Sequence, residues 1–178
     1  MSRPRPPLPA KIVIGMFTRE PELYPQVLEQ MRSIFGPVEL ISPWFAFNLT
    51  SYYESEMGTG LYRRMAAFAP LTGQERLPAV KEQTNELEAR YSAGENRRVN
   101  IDPGYLLPER FVLATGKNYA HRIYIGNYTY ADLTLIYRKG GFQSLAWTYP
   151  DYAQKNIQDF LYRVRNKYLK DLKAEGLL

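Results

Sequence analysis

Apolar side chains along this chain fall into runs of two kinds, and their spacing predicts most of its elements. Lys11–Phe17 (KIVIGMF) is almost continuously apolar, as a short strand buried on both faces should be. From Leu23 the period lengthens. Leu23, Val27, Met31 and Ile34 recur at helical spacing, with Leu28 and Phe35 beside them. Thr18 or Glu20 can cap this helix, Pro21 suits its first turn, and Gly36-Pro37 ends it. Val38–Ile41 and Trp44–Phe47 read as extended segments broken by Pro43, and Tyr62–Ala69 as a further strand. Thr72 and Glu75 stand at capping-box spacing, but Pro78 moves the expected start of the next helix to its own position. Val80, Thr84, Leu87 and Tyr91 form its inner face, and Gly94 closes it. Arg97–Ile101 alternates and Arg110–Thr115 is apolar. Between them, Asp102-Pro103-Gly104-Tyr105 has the composition of a turn.

From residue 121 the period becomes two. His121, Ile123 and Ile125 share one face, with Arg122 and Tyr124 on the other. Leu133, Leu135 and Tyr137 alternate with Asp132, Thr134 and Ile136, and Phe142–Trp147 reads as a third strand. Gly126-Asn127 and Lys139-Gly140-Gly141 mark the turns between these strands. Asp151 and Gln154 have capping-box spacing before a last helix, whose inner face is Ile157, Phe160, Leu161, Val164 and Tyr168. This order predicts an α+β fold. Its first half is a split βαβ, ferredoxin-like unit, its sheet is extended by a C-terminal antiparallel meander, and three main helices pack on it. Residues 1–10, with four prolines and two arginines, read as a flexible arm, and 11–178 as a single domain.

Composition narrows the chemistry. The 178 residues include no cysteine, one histidine and fifteen tyrosines. That excludes a disulfide scaffold, a thiolate nucleophile, an iron–sulfur cluster and a zinc site built on cysteines or several histidines. Any metal site would rest on oxygen ligands and suit Mg²⁺ or Ca²⁺. No secretion signal and no apolar stretch of membrane-spanning length is present, so a cytoplasmic protein without a membrane partner is expected. The net charge of +5 belongs to the ends: +3 in residues 1–11, +3 in residues 155–178, and −1 between. No recognition motif accompanies this charge, so nucleic acid is not the expected partner. Nucleotide motifs fail as well. Phe111–Asn118 (FVLATGKN) lacks the first glycine and the final Ser/Thr of a phosphate loop, and Asn166-Lys167-Tyr168-Leu169 lacks the aspartate of a guanine-reading motif. No organic cofactor is indicated.

Three groups retain chemical interest. Residues 97–122 hold Arg97, Arg98, Asn100, Asp102, Tyr105, Lys117, His121 and Arg122. Here the expected turn would aim Asp102 and Tyr105 into a cleft. His121 is the one side chain whose ordinary pKa lies near neutrality, and Asp102 could orient it. Residues 52–64 hold Tyr52, Tyr53, Glu54, Glu56, Arg63 and Arg64. Glu54 and Glu56 are the residues that would hold Mg²⁺ if a metal is used, or else form a surface turn paired with Arg63 or Arg64. The third group, Trp147–Tyr152 (WTYPDY), supplies rings for a core or a pocket wall, with Asp151 as a helix cap.

Six segments in this order carry a resemblance to a known family. They are Ser42–Phe47, Thr50–Gly58, Thr84–Glu88, Asn100–Tyr105, His121–Gly126 and Trp147–Tyr152. Over about residues 11–170 the chain resembles the prokaryotic family known as domain of unknown function 4416. The resemblance implies a single-domain cytosolic protein whose polar and aromatic signature residues are site candidates without assigned roles. Some members have carried a GTP-binding label, which the failed nucleotide motifs do not support here.

Two functions follow from these residues. The first is binding of an anionic small molecule, bearing phosphate or carboxylate, in a cleft lined by Tyr52, Arg98, Asn100, Tyr105, Lys117, Arg122 and Tyr149. The second is a cofactor-independent or Mg²⁺-assisted hydrolase or lyase with His121 as general acid/base and Asp102 as its partner. Both require the three groups to meet on one face.

Overall fold

A computed structural model describes residues 3–94 and 96–178. It contains nine strands and four α-helices among these residues: β1 (Ala10–Thr18), α1 (Tyr24–Phe35), β2 (Val38–Ile41), β3 (Phe45–Phe47), α2 (Glu54–Met57), β4 (Leu61–Thr72), α3 (Leu77–Arg90), β5 (Val99–Leu107), β6 (Arg110–Thr115), β7 (Arg122–Gly126), β8 (Thr129–Arg138), β9 (Gly141–Ser144) and α4 (Lys155–Ala174). All strands join one sheet in the order β2-β4-β1-β5-β6-β8-β7, with β3 also on β4 and β9 also on β8. Every pairing is antiparallel. The fold is mixed α and β. No helix among the described residues is long and apolar enough to cross a membrane.

The continuous apolar run of β1 is explained by its place. Helices cover both sides of it, and all nine of its residues are buried. On one face Val13 packs with Met65, Leu106, Phe111 and the α4 residues Phe160, Leu161 and Val164. On the other, Ile12, Ile14 and Met16 pack with Val27 and Met31 of α1 and Val80 and Leu87 of α3. The helix α1 ends at Gly36, whose φ of +90° favours glycine, and a Cβ there would lie 2.6 Å from Pro70. The chain is tied down before β1 begins. Leu8 packs on the α4 face, and Pro9 accepts a hydrogen bond from Tyr168 at 2.7 Å.

Three local expectations are corrected. Asp102-Pro103-Gly104-Tyr105 is not a turn but the middle of β5. There β1 pairs along the whole segment, whereas β6 pairs only Gly104–Leu107. On this open margin the backbone N–H of Ile101 donates to Glu88 of α3, and its carbonyl accepts from Lys81 at 3.3 Å. Alternation turns the Pro103 nitrogen to the same margin, so its missing N–H costs no ladder bond. The third meander strand stops at Ser144, short of the expected Trp147. Trp147 Nε1 donates to the Leu133 carbonyl at 2.8 Å and Thr148 Oγ1 to the Thr134 carbonyl at 2.6 Å, which draws this segment off the ladder. Finally, α4 begins at Lys155 without a side-chain cap, so the Asp151–Gln154 capping box does not form, whereas α3 begins at Leu77, beside the expected Pro78.

Candidate functional site

The site begins at Gly15 in the central strand. Gly15 pairs with Met65 on one side and Asp102 on the other, and Phe17 pairs with Arg63 and Asn100. With no side chain at Gly15, the Arg63 guanidinium crosses β1. Its Nη2 reaches Asp102 Oδ2 at 3.0 Å and Asp151 Oδ2 at 3.2 Å. A Cβ on Gly15 would stand 3.1 Å from both Arg63 Nη1 and the Tyr152 hydroxyl. Arg63 is 3% exposed, and its guanidinium carbon lies 5.2 Å, 4.9 Å and 4.8 Å from the rings of Phe17, Phe47 and Tyr152. Asp151 is therefore a buried partner of Arg63, not a helix cap. Burial raises its carboxyl above the ordinary value, and the charge of Arg63 opposes that rise.

From Asp102 the network runs outward along β5. Asn100 Nδ2 donates to Asp102 Oδ1 at 2.8 Å, and Arg97 Nη1 donates to Asn100 Oδ1 at 2.6 Å. Arg97 then grips Glu56 with both arms of its fork, Nε to Oε1 at 2.6 Å and Nη2 to Oε2 at 2.7 Å. The backbone N–H of Arg97 adds a third bond to Glu56 Oε1 at 3.2 Å. These bonds hold the Glu56 carboxyl below its ordinary range. Glu56 thus pairs with Arg97, not with Arg63 or Arg64. Glu54 stays exposed. No cluster of three metal-ligating side chains occurs among the described residues.

Over this network the 52–57 segment meets the loop before β7. Lys117 Nζ donates to the Tyr52 hydroxyl at 2.7 Å and lies 4.2 Å from the Tyr52 ring centroid. That hydrogen bond lowers the Tyr52 phenol pKa. Arg122 Nη1 donates to the Lys117 carbonyl at 3.0 Å, and Nη2 to the Tyr149 hydroxyl at 2.5 Å. Its Nε donates to Asp132 Oδ2 at 2.9 Å, and His121 Nε2 lies 3.3 Å from the same oxygen. The His121 ring stacks on Trp147 with centroids 5.1 Å apart. Burial raises the phenols of Tyr53 and Tyr149, and each also feels the charge of Asp102.

The 52–64, 97–122 and 147–152 segments therefore converge. Tyr52, Lys117, His121, Arg122 and Tyr149 share the outer network and Asn100 and Asp102 the inner one, and the two touch through rings: Tyr52 meets Tyr53 with centroids 4.9 Å apart, and the Arg97 guanidinium carbon lies 5.8 Å from the Tyr53 ring. Arg98 does not join either network: it turns to Glu20, which precedes α1. Tyr105 does not either. Three residues beyond Asp102, it falls on the opposite face of β5 and packs against hydrophobic clusters. His121 is partnered by Asp132 in place of Asp102, whose carboxylate is engaged by Arg63 and Asn100. Arg63 and Asp132 are the residues sequence reasoning missed as site members. Arg63 had a signal, a charged residue in step with Leu61 and Met65 on the inner face of its strand, and Asp132 had none. Asp132, 1% exposed, and Thr134, 0% exposed, occupy the parity expected to face solvent.

Comparison with known proteins adds a family. Neither a curated protein nor a solved structure matches the chain. The family model described as Domain of unknown function (DUF4416) matches residues 8–168. That match spans nearly the whole chain, and the protein belongs to the DUF4416 family.

Proposed function

We propose that this protein binds an anionic small molecule, one bearing a phosphate or carboxylate on a planar body. The binding face is formed by Tyr52, Lys117, Arg122 and Tyr149. One observation carries the reading: three segments far apart in sequence meet there through the Tyr52–Lys117–Arg122–Tyr149 chain of hydrogen bonds. Exposed rings surround the cations. Tyr52, Tyr119, Trp147 and Tyr149 are 63%, 64%, 39% and 37% exposed, which offers stacking surface beside charge-assisted donors. Lys117 suits contact with the anion best, because its ammonium has no carboxylate within salt-bridge range among the described residues. Arg98 and Tyr105 are not part of this reading. For the framework, we read β1–α1–β2 and β4–α3–β5 as a ferredoxin-like split βαβ pair, supported by the order β2-β4-β1-β5 with α1 and α3 on one face. The test is thermal stabilisation by a panel of phosphorylated and carboxylated metabolites. Lys117→Ala is expected to abolish the shift without lowering the melting temperature of the free protein.

A second reading, a hydrolase or lyase without an organic cofactor, is favoured by the His121–Asp132 contact. A carboxylate fixing one imidazole nitrogen is the arrangement a general base needs. His121→Asn abolishing turnover of an ester or phosphoester panel would support it.

A further inference from the structure

Resting on the binding reading above, we infer that Glu56 is an internal stand-in for the ligand's anionic group, and that the anion takes the Arg97 fork by displacing α2. The Glu56 carboxylate is held as a ligand carboxylate would be. Two guanidinium nitrogens and one backbone N–H converge on it. From behind, Asn100 Oδ1 fixes the third guanidinium nitrogen, and the Tyr53 ring lies 5.8 Å from the guanidinium carbon. Donors are thus arranged on the β5 side whether or not Glu56 supplies the oxygens.

The segment that delivers Glu56 is lightly built. The helix α2 has four residues and buries only Met57, against Phe17, Phe47 and Leu61. Gly58 and Gly60 follow it at φ of +79° and +73°, and neither carries a side chain whose contacts would have to break. A hollow of about 170 Å³, lined by Thr50, Glu54, Gly58 and Tyr62, lies beside α2 and gives it room to move. Lys117 stands 4.2 Å from the Tyr52 ring, that ring meets Tyr53 at 4.9 Å, and Tyr53 lies 5.8 Å from the Arg97 guanidinium carbon, so the two cations flank one aromatic pair. An anion held by Lys117 and Arg97 would replace Glu56 with no loss of charge pairing. Its planar body would lie against Tyr52, and the ligand class is a carboxylate or phosphate monoester small enough to fit the fork.

The test uses AMP and benzoate as planar anions and adenosine as the uncharged control, measured by calorimetry on the wild-type chain and on Glu56→Gln. With the competitor neutralised, Glu56→Gln is expected to bind AMP or benzoate roughly tenfold more tightly than wild type, and adenosine no better. On wild type, the same probe is expected to speed hydrogen exchange at the Met57 and Gly58 amides, which bond to Tyr53 and Glu54 carbonyls. Equal or weaker binding by Glu56→Gln, with exchange at those amides unchanged in wild type, overturns the inference. If wild type binds through Lys117 while Glu56→Gln gains nothing, only the displacement fails. If no probe binds either protein, the binding reading fails with it. Should Glu56→Gln not fold, the wild-type exchange result decides alone.

Discussion

Tyr52 and Lys117 are 65 residues apart in sequence, and their side chains meet at 2.7 Å across the mouth of the polar network. This contact ties the α2 segment to the loop before β7. It also leaves a spectroscopic mark. The Lys117 ammonium favours the phenolate, so Tyr52 ionises below the ordinary tyrosine value of 10.0. Ultraviolet titration of wild type is expected to show one early phenol. Tyr52→Phe should remove it, and Lys117→Ala should return it to the ordinary range.

Arg63 should be the most sensitive charged position in the molecule. Its guanidinium is the only cation paired with Asp102 and Asp151 among the described residues. Arg63→Ala would leave the buried Asp151 and the partly buried Asp102 without their counter-ion, at a cost of about 3–5 kcal/mol. Urea denaturation measures this directly. Arg64→Ala, which removes a side chain stacked between Tyr24 and Trp44, should cost far less.

Gly15→Ala tests the crossing over β1. The added methyl would meet Arg63 Nη1 and the Tyr152 hydroxyl at 3.1 Å, in a strand with no room to shift. A loss of about 1–3 kcal/mol is expected, the usual range for overpacking a dense core. A neutral Gly15→Ala in the same denaturation assay would show that Arg63 does not lie across β1.

Asp132 and His121 should separate. Asp132→Asn leaves Arg122, whose side chain is 6% exposed, without its buried carboxylate, at about 3–5 kcal/mol. His121→Asn loses a stack on Trp147 and one long polar contact, worth about 1 kcal/mol. The ranking, measured by thermal unfolding, is the prediction.

The Glu56–Arg97 pair should appear in the pH dependence of stability. Hydrogen bonds from Arg97 hold the folded Glu56 carboxyl below its ordinary 4.5, so the unfolded chain takes up the proton first. The pair's contribution is complete above pH 4.5 and is lost as pH falls from there through the folded pKa. Asp151 and Glu88, raised by burial, have the opposite slope, and Glu88 also lies 3.5 Å from Arg97, so the difference between wild type and Glu56→Gln reports the Glu56–Arg97–Glu88 group. Wild type should melt higher than Glu56→Gln at neutral pH, and the gap should close in acid.

Much of the scaffold was legible in the chain because burial imposes periods on it. The β1 run, the α4 face, the α1 face apart from the exposed Ile34, and both hairpin turns of the meander follow from spacing and turn residues alone. At Asn127-Tyr128 the turn takes φ of +47° and +54°, as a tight hairpin requires. The Asp102–Tyr105 segment misled because Pro and Gly compositions say turn, whereas an open sheet margin tolerates a proline that cannot donate. Membership of the site was legible only in part. The right segments stood out, but partners did not. Asp102 is the partner the sequence offers His121, and only the register, which puts Asp102 next to Gly15 and under Arg63, leaves that place to Asp132. Nothing local distinguishes Arg97 from Arg98 either. Their alternate directions just before β5 send one to Glu56 and the other to Glu20.

The most direct measurement of the central claim is a two-dimensional NMR titration of the wild-type chain with AMP and with benzoate. The account predicts saturable shifts concentrated at residues 52–57, 97–100, 117–122 and 147–149, absent with adenosine and lost in Lys117→Ala. Shifts confined to other surfaces, or none with either anion, would contradict it.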